Sequence, residues 1–180
     1  KMGQNDVEGA EKILGNCFVT LIGISIILTV IFLIFGEDLL LLFGASENTI
    51  SYGTQYLTIY VSGTIFVQMA LGLNTFISAQ GFATTSMMTV IIGSIANIIL
   101  DPIFIFVLDM GVRGAALATI ISQAISSAWV VRFLSGPKTL LRIRRENFAW
   151  KPSVMLPVLA LGVSPFIMQS TESLVNICLN

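Results

Sequence analysis

The sequence predicts an all-α membrane protein that crosses the bilayer several times. Three observations predict this. The 180-residue chain is 55% hydrophobic and only 11% charged, where a soluble domain is about a quarter charged. Its mean hydropathy is +0.90. Its apolar runs reach the ~20 residues that an α-helix needs to cross a bilayer core, and the charges collect between them. A net charge of −1 with no basic stripe gives no reason to expect a nucleic-acid partner. The chain has no His, which removes imidazole acid–base chemistry and most zinc sites. With no evident nucleophile–base pair or metal cluster, an enzyme and a bound cofactor are not expected. Cys17 and Cys178 lie in apolar spans and read as buried thiols.

The elements follow in order. The first residues are polar, and Asn5 or Asp6 suits a helix N-cap with Glu8 in the first turn. Ile13 to Phe35 is an uncharged first span, about 34 Å long at the α-helical rise. Gly36 to Asn48 reads as a loop holding a short interfacial helix, acidic at its start and stopped by Gly44. A second span covers Tyr52 to Ile77. Tyr52, Tyr56 and Tyr60 form an aromatic belt near its start, and Gln68 and Asn74 are buried amides suited to interhelical hydrogen bonds or a cavity wall. After the AQGFATT turn, a third span runs from Thr85 to Leu108 and a fourth from Gly114 to Leu134. Ser135 to Lys151 is hydrophilic and basic. A fifth span starts at Val154, contains Pro157 and Pro165, and is still apolar at Asn180. The chain reads as a piece of a longer protein, with no signal peptide at its start.

Orientation comes from the basic residues. Of the nine Lys and Arg, only Arg113 falls on the side opposite the N-terminus. The positive-inside rule then makes the N-terminal segment and the Ser135–Lys151 loop cytoplasmic, in a multi-pass plasma-membrane protein.

The chemistry concentrates in the third to fifth spans. Gly93, Asn97 and Asp101 recur at i, i+4, i+8 and share one helix face. Thr119, on the next helix, lies at a depth similar to that of Asp101. Pro102 cannot donate a backbone hydrogen bond and frees the carbonyl of Ile98. Irregular backbone at membrane depth is tolerated where it lines a protein-buried or wet cavity. A carboxylate removed from water either takes up a proton or stays ionised beside a cation. Asn and Thr oxygens with one carboxylate suit a hard, weakly held ion such as Na⁺. A site that uses one oxygen for H⁺ or Na⁺ makes the ions compete, as coupling requires. The plainer reading is that Asp101 ties helices together through hydrogen bonds. In the fifth span, Gln169, Glu172, Ser173, Asn176 and Asn180 line one face. A polar stripe with a lipid-compatible back suits a cavity wall, the plainer reading being a bundle held by buried amides. Ala115, Ala118, Ser122 and Ser126 suit close helix packing.

At these residues the chain resembles the multidrug and toxic compound extrusion (MATE) transporters. The resemblance is carried by NIILDPIFIF at Asn97–Phe106 and MGVRGAALATIISQ at Met110–Gln123. NDVEGAEKILGN at Asn5–Asn16, the SAQG turn and LGVSP support it. It implies a twelve-helix, two-lobe transporter, monomeric when complete, of which these five spans are the third to the seventh. Residues 1–134 would belong to the N-terminal lobe, 135–153 would be the cytoplasmic inter-lobe linker, and 154–180 would open the C-terminal lobe. The implied activity is antiport of bulky, often cationic organic compounds against Na⁺ or H⁺. The family's cation site falls on Asn97, Asp101 and Thr119, and the seventh-helix Glu used by some members falls on Glu172. The family's acidic residue on its first helix has no counterpart here. A related flippase for lipid-linked oligosaccharide or peptidoglycan precursors is the other reading, and it calls for basic residues in the cavity.

Overall fold

The computed structural model describes residues 3 and 6–179. Six α-helices follow one another: α1 Val7–Leu42, α2 Ile50–Ser62, α3 Thr64–Ala79, α4 Ala83–Pro102, α5 Gly111–Leu134 and α6 Pro152–Leu179. A π-helical turn, Ile103–Val107, extends α4, and a 3₁₀ turn, Arg145–Asn147, interrupts the segment before α6. No strand occurs among the described residues. Among the described residues four helices are long and apolar enough to cross a membrane, and the pair α2–α3, bent by 55°, is either a broken fifth span or a re-entrant loop. Taken as one span, the pair brings the number to the five expected from the sequence.

Asp6 caps α1, accepting a hydrogen bond of 2.8 Å from the Gly9 N–H. The other cap candidate, Asn5, lies outside the described residues. The separate interfacial helix expected between Gly36 and Asn48 does not form. Instead α1 runs unbroken for 36 residues, about 54 Å at the helical rise. Gly36 is a packing residue here, not a break: a Cβ on it would stand 2.6 Å from Leu57 Cδ2. One Gly in a helix costs only about 1 kcal/mol against Ala, and the leucines beyond it carry the helix on. It stops where expected, at Gly44, whose φ of +91° suits a residue without Cβ.

The expected continuous second span is instead two helices that meet at 55°. The break is at Ser62-Gly63-Thr64. Ser62 Oγ donates to the Ile59 carbonyl at 2.6 Å and Thr64 Oγ1 to the Val61 carbonyl at 2.7 Å. From α1, Thr29 Oγ1 donates to the same Val61 carbonyl at 3.0 Å. Such side-chain bonds to nearby carbonyls compete with regular helix and bend it. Gly63 is buried at the bend, with Ile120 of α5 packed where a Cβ would go, its Cγ1 2.5 Å away.

The buried core sits at one end of the bundle. Ala10 and Leu14 of α1, Leu73 and Ile77 of α3, and Val130 and Leu134 of α5 pack together, and Leu141 from the segment after α5 closes the cluster at 2% exposure. That segment is seated on the helix ends. Gln80 Oε1, in the α3–α4 turn, accepts from Thr139 Oγ1, Leu140 N–H and Leu141 N–H at 2.7, 2.8 and 2.9 Å. Glu11 accepts the Arg142 N–H at 3.1 Å and pairs with Arg144 Nε at 2.9 Å. Phe148 stacks on Phe18 with ring centroids 5.1 Å apart. Beyond it, Met155 of α6 is 2% exposed while Leu161 is 80% exposed. Away from the core, α1 leaves Ile26, Ile27 and Ile34 exposed.

The contrast between two glycines is testable. Gly63→Ala puts a methyl into Ile120 and lowers stability by about 1–3 kcal/mol, the usual range for overpacking. Gly162→Ala, at a position with nothing within 4 Å of its Cβ, leaves stability unchanged or slightly raised. Thermal melting of the full-length parent in detergent measures both.

Candidate functional site

The third span presents a polar face longer than Gly93, Asn97 and Asp101. Ser86 and Thr89 extend it toward the start of α4, at the same three- and four-residue spacing. That face packs on α3 and α5. Gly93 makes the close approach to α5 possible, because a Cβ there would run into Ser126 Oγ. Ser126 Oγ in turn donates to the Thr89 carbonyl at 3.0 Å. Thr89 Oγ1 donates to Asn74 Oδ1 at 3.0 Å, and Asn74 Nδ2 donates to the Ser86 carbonyl at 3.2 Å. Asn74 therefore bonds between helices, as its sequence position suggested, and it also faces a cavity.

That cavity, of about 180 Å³, opens among α3, α4 and α5. Asn74, Thr89, Asn97, Thr119 and Gln123 supply much of its polar lining. Its volume decides what it can hold. Pockets for drug-sized ligands measure about 300–1,000 Å³, so this one is on the scale of a few waters or a small ion. Its hydroxyls suit the second use. Thr119 Oγ1 donates to the Ala115 carbonyl at 2.9 Å and Ser122 Oγ to the Ala118 carbonyl at 2.7 Å. Each proton is thus spent within the helix, leaving the oxygen lone pairs to accept.

Asn97 and Thr119 are brought to one cavity. Asp101 is not part of its lining; it lies one turn further along α4. Its Oδ1 is nevertheless buried with no hydrogen-bond partner among the described residues, and so is Asn97 Nδ2. Leaving a buried polar group unmet costs about 1–3 kcal/mol, and two such atoms on adjacent turns of one helix call for an explanation. The backbone beside them is irregular as well. After Pro102, the π turn resumes bonding with Leu108 N–H to the Ile103 carbonyl at 2.9 Å. The turn is pressed onto α5 at Gly114, where a Cβ would lie 2.6 Å from the Phe104 carbonyl oxygen. Single π turns inside helices recur at functional sites. Asp109 and Gly111, both at positive φ, then reverse the chain into α5.

The fifth-span candidates are elsewhere. Glu172 is exposed and borders a shallow hollow with Met168, Thr171 and Val175, and Gln169 is exposed on the same helix. Asn176 is helical, its side chain outside the described set, and Asn180 lies beyond the described residues. Thr89, Ser94 and Gln123 were not singled out from the sequence. The stripe from Asn97 back to Ser86 was the signal for Thr89; nothing local marked Gln123. Among the described residues no group of three or more His, Cys, Asp or Glu could hold a metal ion.

The family model MatE matches residues 1–103. The chain belongs to the MatE family. The multidrug export protein MepA of Staphylococcus haemolyticus is 32% identical over 145 residues, which are 81% of this chain and 32% of that protein. A solved chain described as protein A superposes with a TM-score of 0.92 at 35% identity, over 99% of this chain and 40% of its own. The inward-facing conformation of a multidrug resistance MATE family transporter of the MOP superfamily gives a TM-score of 0.84 at 26% identity, covering 90% of this chain and 37% of that one. This MatE chain thus spans about a third of the length of the curated relatives it matches. Together with four to five apolar spans, membership makes it a multi-pass membrane protein.

The hydrogen-bonded net beside the cavity predicts a stability effect. Thr89→Val removes the donor to Asn74 Oδ1 and strands that oxygen, costing about 1–3 kcal/mol. Thr75→Val, whose exposed hydroxyl bonds only to its own helix at 2.7 Å, costs far less. Thermal unfolding of the two variants in the full-length parent distinguishes them.

Proposed function

We propose that the chain is the third to seventh helices of a cation-coupled antiporter that exports organic, often cationic, compounds by alternating access. The observation that carries this reading is the unmet buried carboxylate oxygen Asp101 Oδ1, one turn from Asn97 and beside a proline and a π turn. An ionisable side chain in an apolar span is a functional residue by default. The neighbouring cavity is small enough for an ion and too small for a drug, and it presents Thr119 and Ser122 oxygens whose protons are already spent.

In this reading Asp101 is the coupling group. Protonated, it is neutral and tolerates the apolar surroundings. Ionised, it holds Na⁺ with the oxygens of Asn97 and Thr119. A lobe whose two states differ in affinity for that ion shifts between them by that difference. The organic compound is then held by the space between the two lobes, with Gln169, Glu172 and Asn176 on the wall that α6 contributes. Binding sites of such transporters sit near the bilayer midplane, at the junction of the structural repeats. The basic end of the bundle, with Arg142, Arg144 and Arg145, is cytoplasmic.

A precursor flippase is less well supported. A pyrophosphate needs cations in the substrate cavity, and the third and fifth spans carry acids there instead, Asp101 and Glu172.

The test is export of a fluorescent cationic dye from cells carrying the full-length parent, wild type against Asp101→Asn, with external Na⁺ and pH gradients varied separately. With equal amounts in the membrane, the variant falls to the level of cells lacking the transporter, and the gradient that drives the wild type names the ion. Export that persists in Asp101→Asn with unaltered ion dependence refutes the assignment.

A further inference from the structure

The segment between α5 and α6 has the composition of a flexible tether, yet its polar contacts to the rest of the chain go mainly to buried groups on the helices beneath it. Three side chains do this: Glu11 and Asn16 of α1, and Gln80 of the α3–α4 turn, at 8%, 2% and 9% exposure. Gln80 takes three donors on one oxygen, from Thr139, Leu140 and Leu141. Glu11 takes the Arg142 N–H and the Arg144 side chain. Asn16 Oδ1 accepts the Lys151 N–H at 2.7 Å, and its Nδ2 reaches the Asn147 carbonyl at 3.4 Å. Between these points the Ile143 N–H bonds the Leu134 carbonyl at 3.0 Å, and Leu141 completes the core. Gly15 lets the segment lie flat on α1: a Cβ there would stand 2.6 Å from the Asn147 carbonyl oxygen.

Peeling this segment away would break these contacts together and expose Leu141 to water. A cycle that kept the segment in place would be spared that cost at every turnover. The backbone after Lys151 is different. α6 carries Pro157 and Pro165 inside the helix, and each leaves the carbonyl four residues back without its usual donor.

We propose that residues 137–151 are a rigid strap, clamped to the first lobe by Glu11, Asn16 and Gln80 throughout the transport cycle. These three act as positioning residues: they fix the point from which α6 starts. The joint about which the second lobe moves lies in α6 itself, beyond Lys151 and at its prolines. The location of the joint rests on the two-lobe reading above; the clamp does not.

The experiment uses the full-length parent in lipid nanodiscs, with its native cysteines replaced and spin labels on two pairs, Glu8→Cys with Ala149→Cys and Glu8→Cys with Leu161→Cys. Distances are measured with and without Na⁺, at acid and neutral pH, and with ethidium as the cationic probe. The Glu8–Ala149 distance stays a single narrow population under every condition, while the Glu8–Leu161 distance shifts. A Glu8–Ala149 distance that shifts in step with the other overturns the proposal. Gln80→Leu broadens the Glu8–Ala149 distribution, and Gln80→Glu, which keeps an acceptor oxygen, leaves it narrow. A narrow distribution in Gln80→Leu overturns the clamp. A Glu8–Leu161 distance that never changes overturns the joint, and alternating access with it, while the Gln80 pair still decides the clamp.

Discussion

A bilayer core holds no water to satisfy a polar group, so each departure from regular helix must be made good from inside the protein. Between α1 and α5 the chain departs from regular helix at two such places. At Ser62-Gly63-Thr64 hydroxyls of Ser62, Thr64 and Thr29 take carbonyls at the bend, and Gly63 lets Ile120 close the gap. After Pro102 the backbone continues as a π turn, but two side-chain atoms beside it are unmet among the described residues, Asn97 Nδ2 and Asp101 Oδ1. The same fold that leaves these unmet satisfies Asn74, Thr89 and Ser126 a few residues away. The contrast makes the Asn97–Asp101 turn the place where something from outside the chain is needed.

Close helix contact makes that turn what it is. Without a hydrophobic drive between helices in lipid, association relies on tight packing and interhelical hydrogen bonds. α4 meets α5 through Gly93 and Ser126, and the π turn meets α5 through Gly114. These contacts draw the polar face of α4 toward Thr119 and Ser122 and leave between them a space of ionic size. The core at the other end, capped by Leu141 and the strap, holds α1, α3 and α5 together where water is present and burial of aliphatic surface is favourable.

Much of this was legible in the sequence, for physical reasons. The spans follow from hydropathy and length, because helix geometry and bilayer thickness leave little choice. The Gly93, Asn97, Asp101 stripe follows from the helical period; depth counting paired Thr119 with Asp101, whereas the cavity brings Thr119 together with Asn97. The bend at Gly63 was not legible, because a glycine between two hydroxyl residues bends a helix only when a neighbour such as Ile120 fills its site. Gly36 shows the converse: the same residue type in a contact with Leu57 leaves α1 straight through it. The strap was hidden for a related reason. Its composition is that of a solvated loop, and the groups that hold it, Glu11, Asn16 and Gln80, are distant in sequence and look like ordinary surface residues. Asp101's absence from the cavity lining is a matter of one helical turn, finer than depth counting resolves.

The coupling role proposed for Asp101 requires an exchangeable proton and cation site there. Infrared difference spectroscopy of the purified full-length parent tests that directly, by varying pH with and without Na⁺ and watching the carbonyl band of a protonated carboxylic acid. The expected result is a band that appears on acidification, is suppressed by whichever cation competes, and is missing in Asp101→Asn. The same titrating band in Asp101→Asn, undiminished and equally sensitive to cation, would contradict it.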